Sequence, residues 1–399
     1  MPEGAAGPPA SAPPLRRARS LRKRLRRALR HRPKRALYPL LAIGRALPPQ
    51  RSAGLPGAGR VLLLRELNTL GDALISTPAV RALHRTFPDL ELAMVAGWRN
   101  AAVWRHNPHL ARLFVLERGP KALRFGGLVG ELRAWSPDAC VTLESLTCHA
   151  TLDVLARLSG APLRIRYDGA AFGLPHTNAA YNLLVPFSAA AGAHQIELCA
   201  GTLRPFGVEV LDRRLELVPG AEAERRAARA LSDAGVGPGE PFCVVHPGSK
   251  QVHNRWPLED FLTVLGRARG HRLRALLSFG PSEEPTRAWF AARGVPARDL
   301  LPSLRLEEVA ALLARARLLV CPDTGVLHVG AAVGAPVVGL YGSGDPRLWQ
   351  PPGDVRAVHA RGRGNVRDLA LADVLRAVDE ALSGGAAARP RRTRPETEW

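Results

Sequence analysis

Apolar positions along the chain fall into two trains of short hydrophobic runs separated by helical stretches. Residues 61–64 are wholly apolar, the pattern of a parallel strand covered on both faces. A glycine-containing turn follows, then helical periodicity over 73–85, closed by Pro88. Further strands are expected at 90–95, 112–116 and 139–143, with helices at 122–135 and 147–159. A helical run at 194–206 leads into residues 207–240, where Pro219, Gly220, Gly235, Gly237, Pro238 and Gly239 suit a hinge. The rhythm then restarts. Strands at 242–246, 275–279, 318–321 and 337–341 alternate with helices at 258–269, 286–293, 306–316 and 326–333. Leu371, Val374, Leu375, Val378 and Leu382 mark a closing helix over 368–382. Such alternation predicts an α/β protein with two doubly wound parallel-sheet domains, 60–206 and 241–384, joined by a 207–240 linker.

The ends differ in character. The chain of 399 residues has a formal charge of +21, yet residues 1–60 hold 15 basic groups against the single acid Glu3, so the rest carries only +7. Residues 1–15 are Pro/Ala/Gly-rich, and Leu21, Leu25 and Leu29 then form a narrow apolar stripe among arginines. The 1–59 segment thus reads as a disordered arm bearing a basic amphipathic helix ended by Pro33. Over 15–35 it suits an anionic membrane surface, at roughly 1 kcal/mol per basic group near lipid. Nucleic acid is the second reading, disfavoured because no aromatic side chain interleaves the basic run. A solvated arm without function is the third. The 385–399 tail is expected to be loose and basic. The apolar run at 36–47 is short of the ~20 residues a membrane helix needs and carries no convincing leader cleavage site. The expected location is the cytoplasm, with peripheral attachment to the inner face of the membrane if the arm engages lipid. Five scattered cysteines, Cys140, Cys148, Cys199, Cys243 and Cys321, form neither a zinc signature nor a disulfide framework.

Three constellations follow expected strands. In an open α/β sheet, ligands sit beyond the carboxyl ends of the strands. Gly71 and Asp72, in a run ending Ser76-Thr77-Pro78, come directly after strand 61–64. Asp72 there reads either as a general base for an incoming hydroxyl or as a helix N-cap. The second constellation, His246-Pro247-Gly248-Ser249-Lys250 through Asn254-Arg255-Trp256, reads as a phosphate-binding turn with basic groups or as a surface loop. The third, Asp323-Thr324-Gly325-Val326-Leu327-His328, places amide donors and a helix N-terminus at a sheet edge, the geometry of an anion cradle. His328 lies either near that anion or in the core. No ligand spacing for a metal is present, and none is expected.

The motifs at 63–79, 246–257, 280–284 and 323–346 resemble those of glycosyltransferase family 9, the bacterial heptosyltransferases of lipopolysaccharide assembly. The resemblance spans about residues 60–382 and implies a GT-B fold, with two Rossmann-like domains facing a central cleft. It implies inverting, metal-independent transfer of a heptose-type sugar from a nucleotide-diphosphate donor such as ADP-heptose to a glycan or glycolipid acceptor. No cofactor is implied, and a monomer is expected. Asp72 would be the catalytic base, with Gly71 and Thr77 on the acceptor side. Ser249, Lys250, Arg255, Asp323, Thr324, Gly325 and His328 would hold donor diphosphate and sugar, and Glu283 or Glu284 the ribose. Members commonly carry Lys where this chain has Asn254. That departure motivates the alternative of a sugar-nucleotide-binding or scaffold relative that has lost turnover.

Overall fold

The computed structural model describes Tyr38, Leu55 and residues 59–383, apart from 66, 120, 144–148, 188–192, 343 and 361–363 and the side chains of 121 and 122. The basic run at 15–35 and the tail at 385–399 lie outside the described residues. The first domain runs β1 (Arg60–Leu64), α1 (Leu70–Thr86), β2 (Glu91–Gly97), β3 (Arg112–Leu116), α2 (Lys121–Trp135), β4 (Ala139–Thr142), α3 (Ala150–Leu158), β5 (Leu163–Tyr167), β6 (Leu183–Val185) and α4 (Gln195–Ala200). After it come α5 (Ala221–Asp233), β7 (Phe242–Val245), α6 (Leu258–Gly270), β8 (Arg274–Leu277), α7 (Glu284–Ala291) and α8 (Leu306–Leu313). The chain continues through β9 (Leu318–Pro322), α9 (Gly325–Ala332), β10 (Val337–Tyr341), α10 (Pro346–Trp349), β11 (Val355–His359) and α11 (Leu371–Ser383).

Two wholly parallel sheets result, a six-stranded one ordered β3-β2-β1-β4-β5-β6 and a five-stranded one ordered β11-β10-β9-β7-β8. Parallel strands need cover on both faces, which is why β1 is apolar at four successive positions, Val61 to Leu64, all fully buried. Each such side chain stabilises by about 1.5–3 kcal/mol relative to exposure. Strand order reverses between β1 and β4 in one sheet and between β7 and β9 in the other. The crevice beyond the carboxyl ends at these reversals is where an open α/β sheet binds ligand.

Three strands were not expected from the sequence: β6, an apolar run of only three residues, and β5 and β11, which carry arginines. In β5, Leu163-Arg164-Ile165-Arg166-Tyr167, two arginines stand where a buried strand ought to be apolar, and both are buried. Arg164 is satisfied by the carbonyls of Ala180 (2.8 Å) and Ala161 (2.7 Å). Arg166 pairs with the fully buried Asp153 at 2.8 Å, whose carboxylate also accepts from Tyr181 and Tyr38 at 2.9 and 2.8 Å.

The 207–240 segment is not a uniform hinge. It contains α5, whose stripe of Ala223, Ala227, Ala230 and Leu231 is buried and which packs against α8. Between the domains residues 208–220 form neither helix nor strand, and they are strapped to α1. Arg81 donates to the carbonyls of Asp212 and Arg214 at 2.9 and 2.6 Å, and the Glu216 amide donates to the Thr77 hydroxyl at 3.0 Å.

Candidate active site

On the first domain, the chain leaving β1 turns tightly under the end of β2. A side chain at Gly97 would collide with the Leu67 carbonyl, so this close approach needs glycine. Asn100, itself buried, locks the turn by accepting from the Gly97 amide (3.0 Å) and donating to the Thr69 carbonyl (3.2 Å). Thr69 is the N-cap of α1, and Asp72 lies within the first turn. Asp72 is therefore not the cap, and the helix N-terminus favours its charge. Its Oδ1 accepts from Arg65 Nη2 at 2.7 Å and its Oδ2 from the Thr69 hydroxyl at 2.5 Å. Arg65 is 2% exposed while Asp72 is 25% exposed, so the carboxylate is held from behind and open in front. Thr77 lies elsewhere than expected. It is fully buried, its hydroxyl donates to the Leu74 carbonyl and accepts from Glu216, and it fastens the interdomain strap rather than facing the cleft.

On the second domain, β9 ends at Pro322 and α9 begins at Gly325, with Thr324 extended at the N-cap position. The Thr324 hydroxyl makes no cap bond, and it is buried without a hydrogen-bond partner. A buried hydroxyl left so at a helix N-terminus suits an anion that the protein alone does not supply. The Asp323 carboxyl lies against Gly344; burial raises its pKa above the ordinary value, opposed by His253. Asn254 donates to the Asp323 carbonyl at 2.8 Å and so braces the turn. Arg255 reaches back to the Ser249 carbonyl at 2.9 Å, and Ser249, which is buried, accepts from the Gln251 amide at 3.2 Å. Lys250 is exposed. Glu283 turns inward, accepting from the Gly280 amide at 2.7 Å and lying so close over Gly248 that a Cβ there would strike its carboxylate. Its Oε2 is 3.9 Å from His246, whose Nδ1 meets the Ser278 hydroxyl at 3.1 Å and whose pKa burial lowers. Glu284 points away, its side chain 75% exposed beside Arg287.

The two halves meet at the first turns of α1 and α9. A Cβ on Gly71 would stand 3.2 Å from the His328 ring, and one on Gly325 would stand 2.9 Å from Leu70. His328 is buried in this seam, where desolvation pulls its pKa down to about 4, opposed by Asp72 and reinforced by His194. His194 bridges the same boundary through the Gln350 carbonyl at 2.8 Å. A cavity of about 580 Å³, lined by His194, Arg213, Arg347 and Gln350, opens alongside. Because the folded His328 binds its proton less tightly than the unfolded ~6.5, its contribution to stability is complete above that pH and is lost as pH falls towards 4. Urea titrations should show this acid limb, and His328→Leu should flatten it by up to about 1.4 kcal/mol per pH unit. Among the described residues, no three His, Cys, Asp or Glu side chains gather as a metal site.

Comparison with known proteins decides the family. The model of "Glycosyltransferase family 9 (heptosyltransferase)" matches residues 154–371. The chain belongs to glycosyltransferase family 9. Lipopolysaccharide heptosyltransferase 3 of Escherichia coli is 25% identical over 335 residues, covering 78% of this chain and 96% of that one. The family 9 glycosyltransferase structure from Veillonella parvula superposes with a TM-score of 0.71 at 18% identity, covering 82% and 98% of the two chains. An E. coli heptosyltransferase solved with ADP-2-deoxy-2-fluoro heptose gives 0.64 at 20%, covering 80% and 99%. The fold is thus GT-B, and this family member is a glycosyltransferase. Arg65, Thr69 and Asn100 escaped the sequence reading. A charged residue directly after the apolar β1 run was the one signal for Arg65.

Proposed function

We propose that this transferase moves a heptose-type sugar from ADP-heptose to a hydroxyl of a lipopolysaccharide-core-like glycolipid, with inversion and without a metal ion or other cofactor. The observation that carries the reading is the abutment of the Asp72-bearing turn against the Thr324 turn across the two sheet edges. In the step proposed, the acceptor oxygen attacks the anomeric carbon as its proton passes to Asp72. The bond from that carbon to the diphosphate oxygen breaks on the opposite face, and the nucleoside diphosphate leaves with the electron pair. Charge gathering on the diphosphate is met by the amides at 324–326, the Thr324 hydroxyl, Lys250 and Arg255, in a sheltered cleft where such dipoles act most strongly. The inward turn of Glu283 and the exposure of Glu284 support assigning the ribose contact to Glu283. The names of the relatives support donor and acceptor class, and no helix among the described residues is long and apolar enough to cross a membrane. Action as a monomer at the inner face of the cytoplasmic membrane, with the 15–35 segment on anionic lipid, belongs to the same proposal.

The rival reading, a binding relative without turnover, rested on Asn254. That side chain braces the Asp323 carbonyl, so the position serves the turn without a lysine. Incubating the protein with ADP-heptose and a heptose-free lipopolysaccharide core, with mass detection of product, tests transfer directly; ADP-heptose binding without product would favour the rival. Thr324→Val should leave thermal stability unchanged, since no bond in the free protein is lost, yet weaken ADP-heptose binding about tenfold or more. Equal affinity by calorimetry would remove the Thr324 turn from the diphosphate site.

A further inference from the structure

Resting on the reading of Asp72 as base, the geometry points to Thr69 as a resident stand-in for the acceptor hydroxyl. Both oxygens of Asp72 are engaged in the free protein, but by unequal partners. Oδ1 is bound by Arg65, which is buried and also reaches the Asp72 carbonyl with Nε at 3.3 Å. That hold is built into the core and fixes the rotamer. Oδ2 is bound by a hydroxyl from an exposed residue on the open side of the carboxylate. An acceptor hydroxyl giving its proton to Asp72 has to reach this same oxygen, and the group already there is chemically its equal, an alcohol O–H donating to a carboxylate.

A second observation marks the contact as replaceable. Threonine at an N-cap ordinarily turns its oxygen onto the amide of the second or third helical residue. Here it does not: Thr69 is the N-cap of α1, its side chain makes no cap bond, and its hydroxyl is spent on Asp72 instead. Its backbone meanwhile is pinned by Asn100. Rotation about one side-chain bond would release Oδ2 and let the same hydroxyl cap the Gly71 or Asp72 amide. The bond given up to the acceptor is thereby offset by one gained at the helix end. Thr69 thus keeps the carboxylate oriented and hydrogen-bonded while the site is empty and yields the seat when acceptor enters. Arg65 is the positioning residue that does not move, and Thr69 the one that does.

The test compares Thr69→Val and Thr69→Ser in steady-state transfer from ADP-heptose to a deacylated lipopolysaccharide core oligosaccharide. Removing the competitor should lower the KM for that oligosaccharide about three- to tenfold in Thr69→Val, with the KM for ADP-heptose unchanged. Thr69→Ser should behave as the parent protein. A purely structural cap would instead lower the melting temperature and leave both KM values alone, which overturns the inference. A raised oligosaccharide KM overturns it too, because Thr69 would then be a contact and not a placeholder. The parallel Asp72→Asn variant keeps the two readings apart. If Asp72→Asn abolishes transfer while Thr69→Val leaves the acceptor KM unchanged, only the stand-in fails; if Asp72→Asn transfers normally, the base itself is misassigned.

Discussion

Asp72→Asn will reduce transfer by about 10²–10⁴-fold, the range a positioned general base contributes, while ADP-heptose binding stays within about twofold of the parent. The substitution is nearly isosteric, and the surroundings favour a folded product. An amide oxygen can still accept from Arg65, and the amide nitrogen can donate to the Thr69 hydroxyl, so the α1 turn is retained. What disappears is the site that takes the acceptor proton. Asp323 is a rival carboxyl in the candidate site, and its surroundings suit a different task. Burial raises its pKa above the ordinary value, and its carboxyl lies against Gly344 of the second domain. Calorimetry for donor binding and a product assay for turnover separate the two effects. Turnover within tenfold of the parent in Asp72→Asn, with loss in Asp323→Asn, would transfer the role to Asp323.

The sheets and their carboxyl edges were largely legible, because a parallel strand covered on both faces announces itself as an unbroken apolar run. β1, β9 and β10 follow that rule, and the turns carrying Gly71 and Gly325 come after the first two of these runs. Legibility failed where burial is achieved by other means. β5 buries Arg164 and Arg166, whose charges are met by carbonyls and by Asp153 from elsewhere in the domain, and no local pattern reveals those partners. α5 hides because its buried stripe is mostly alanine, which adds little hydrophobic signal among Arg and Glu, so that flanking Gly and Pro read as a hinge. Within the site, the turns after β1, β7 and β9 came from their place at strand ends, and Glu283 and Thr77 from the family resemblance, whereas the support around them came from neither. Arg65 and Asn100 act through contacts that only the folded turn creates, and Thr77 looked like a cleft residue until the strap was seen to occupy its hydroxyl.

Asp153→Ala will be the most destabilising single substitution in this group, costing about 3–5 kcal/mol in urea titration of the folded chain. The argument rests on what remains behind. Asp153 is fully buried in the first turn of α3 and accepts from Arg166, Tyr181 and Tyr38, joining α3, β5, the approach to β6 and the stretch before β1. Removing the carboxylate leaves the Arg166 guanidinium, 2% exposed, in the interior without it. By contrast the Arg267–Asp379 pair, with side chains 50% and 28% exposed, lies in solvent reach, so Asp379→Ala is expected to cost only about 0–1 kcal/mol. The cause can be isolated with a double variant. If the penalty is the stranded charge rather than lost packing, Asp153→Leu combined with Arg166→Met will be more stable than Asp153→Ala alone, since both buried charges are gone. A double variant as unstable as the sum of its parts would instead show that the network stabilises by its hydrogen bonds and shape. Because the network sits at the carboxyl ends of β4 and β5, the proposed assignment of acceptor to this domain and donor to the other predicts that its partial loosening raises the acceptor KM and leaves donor affinity unchanged.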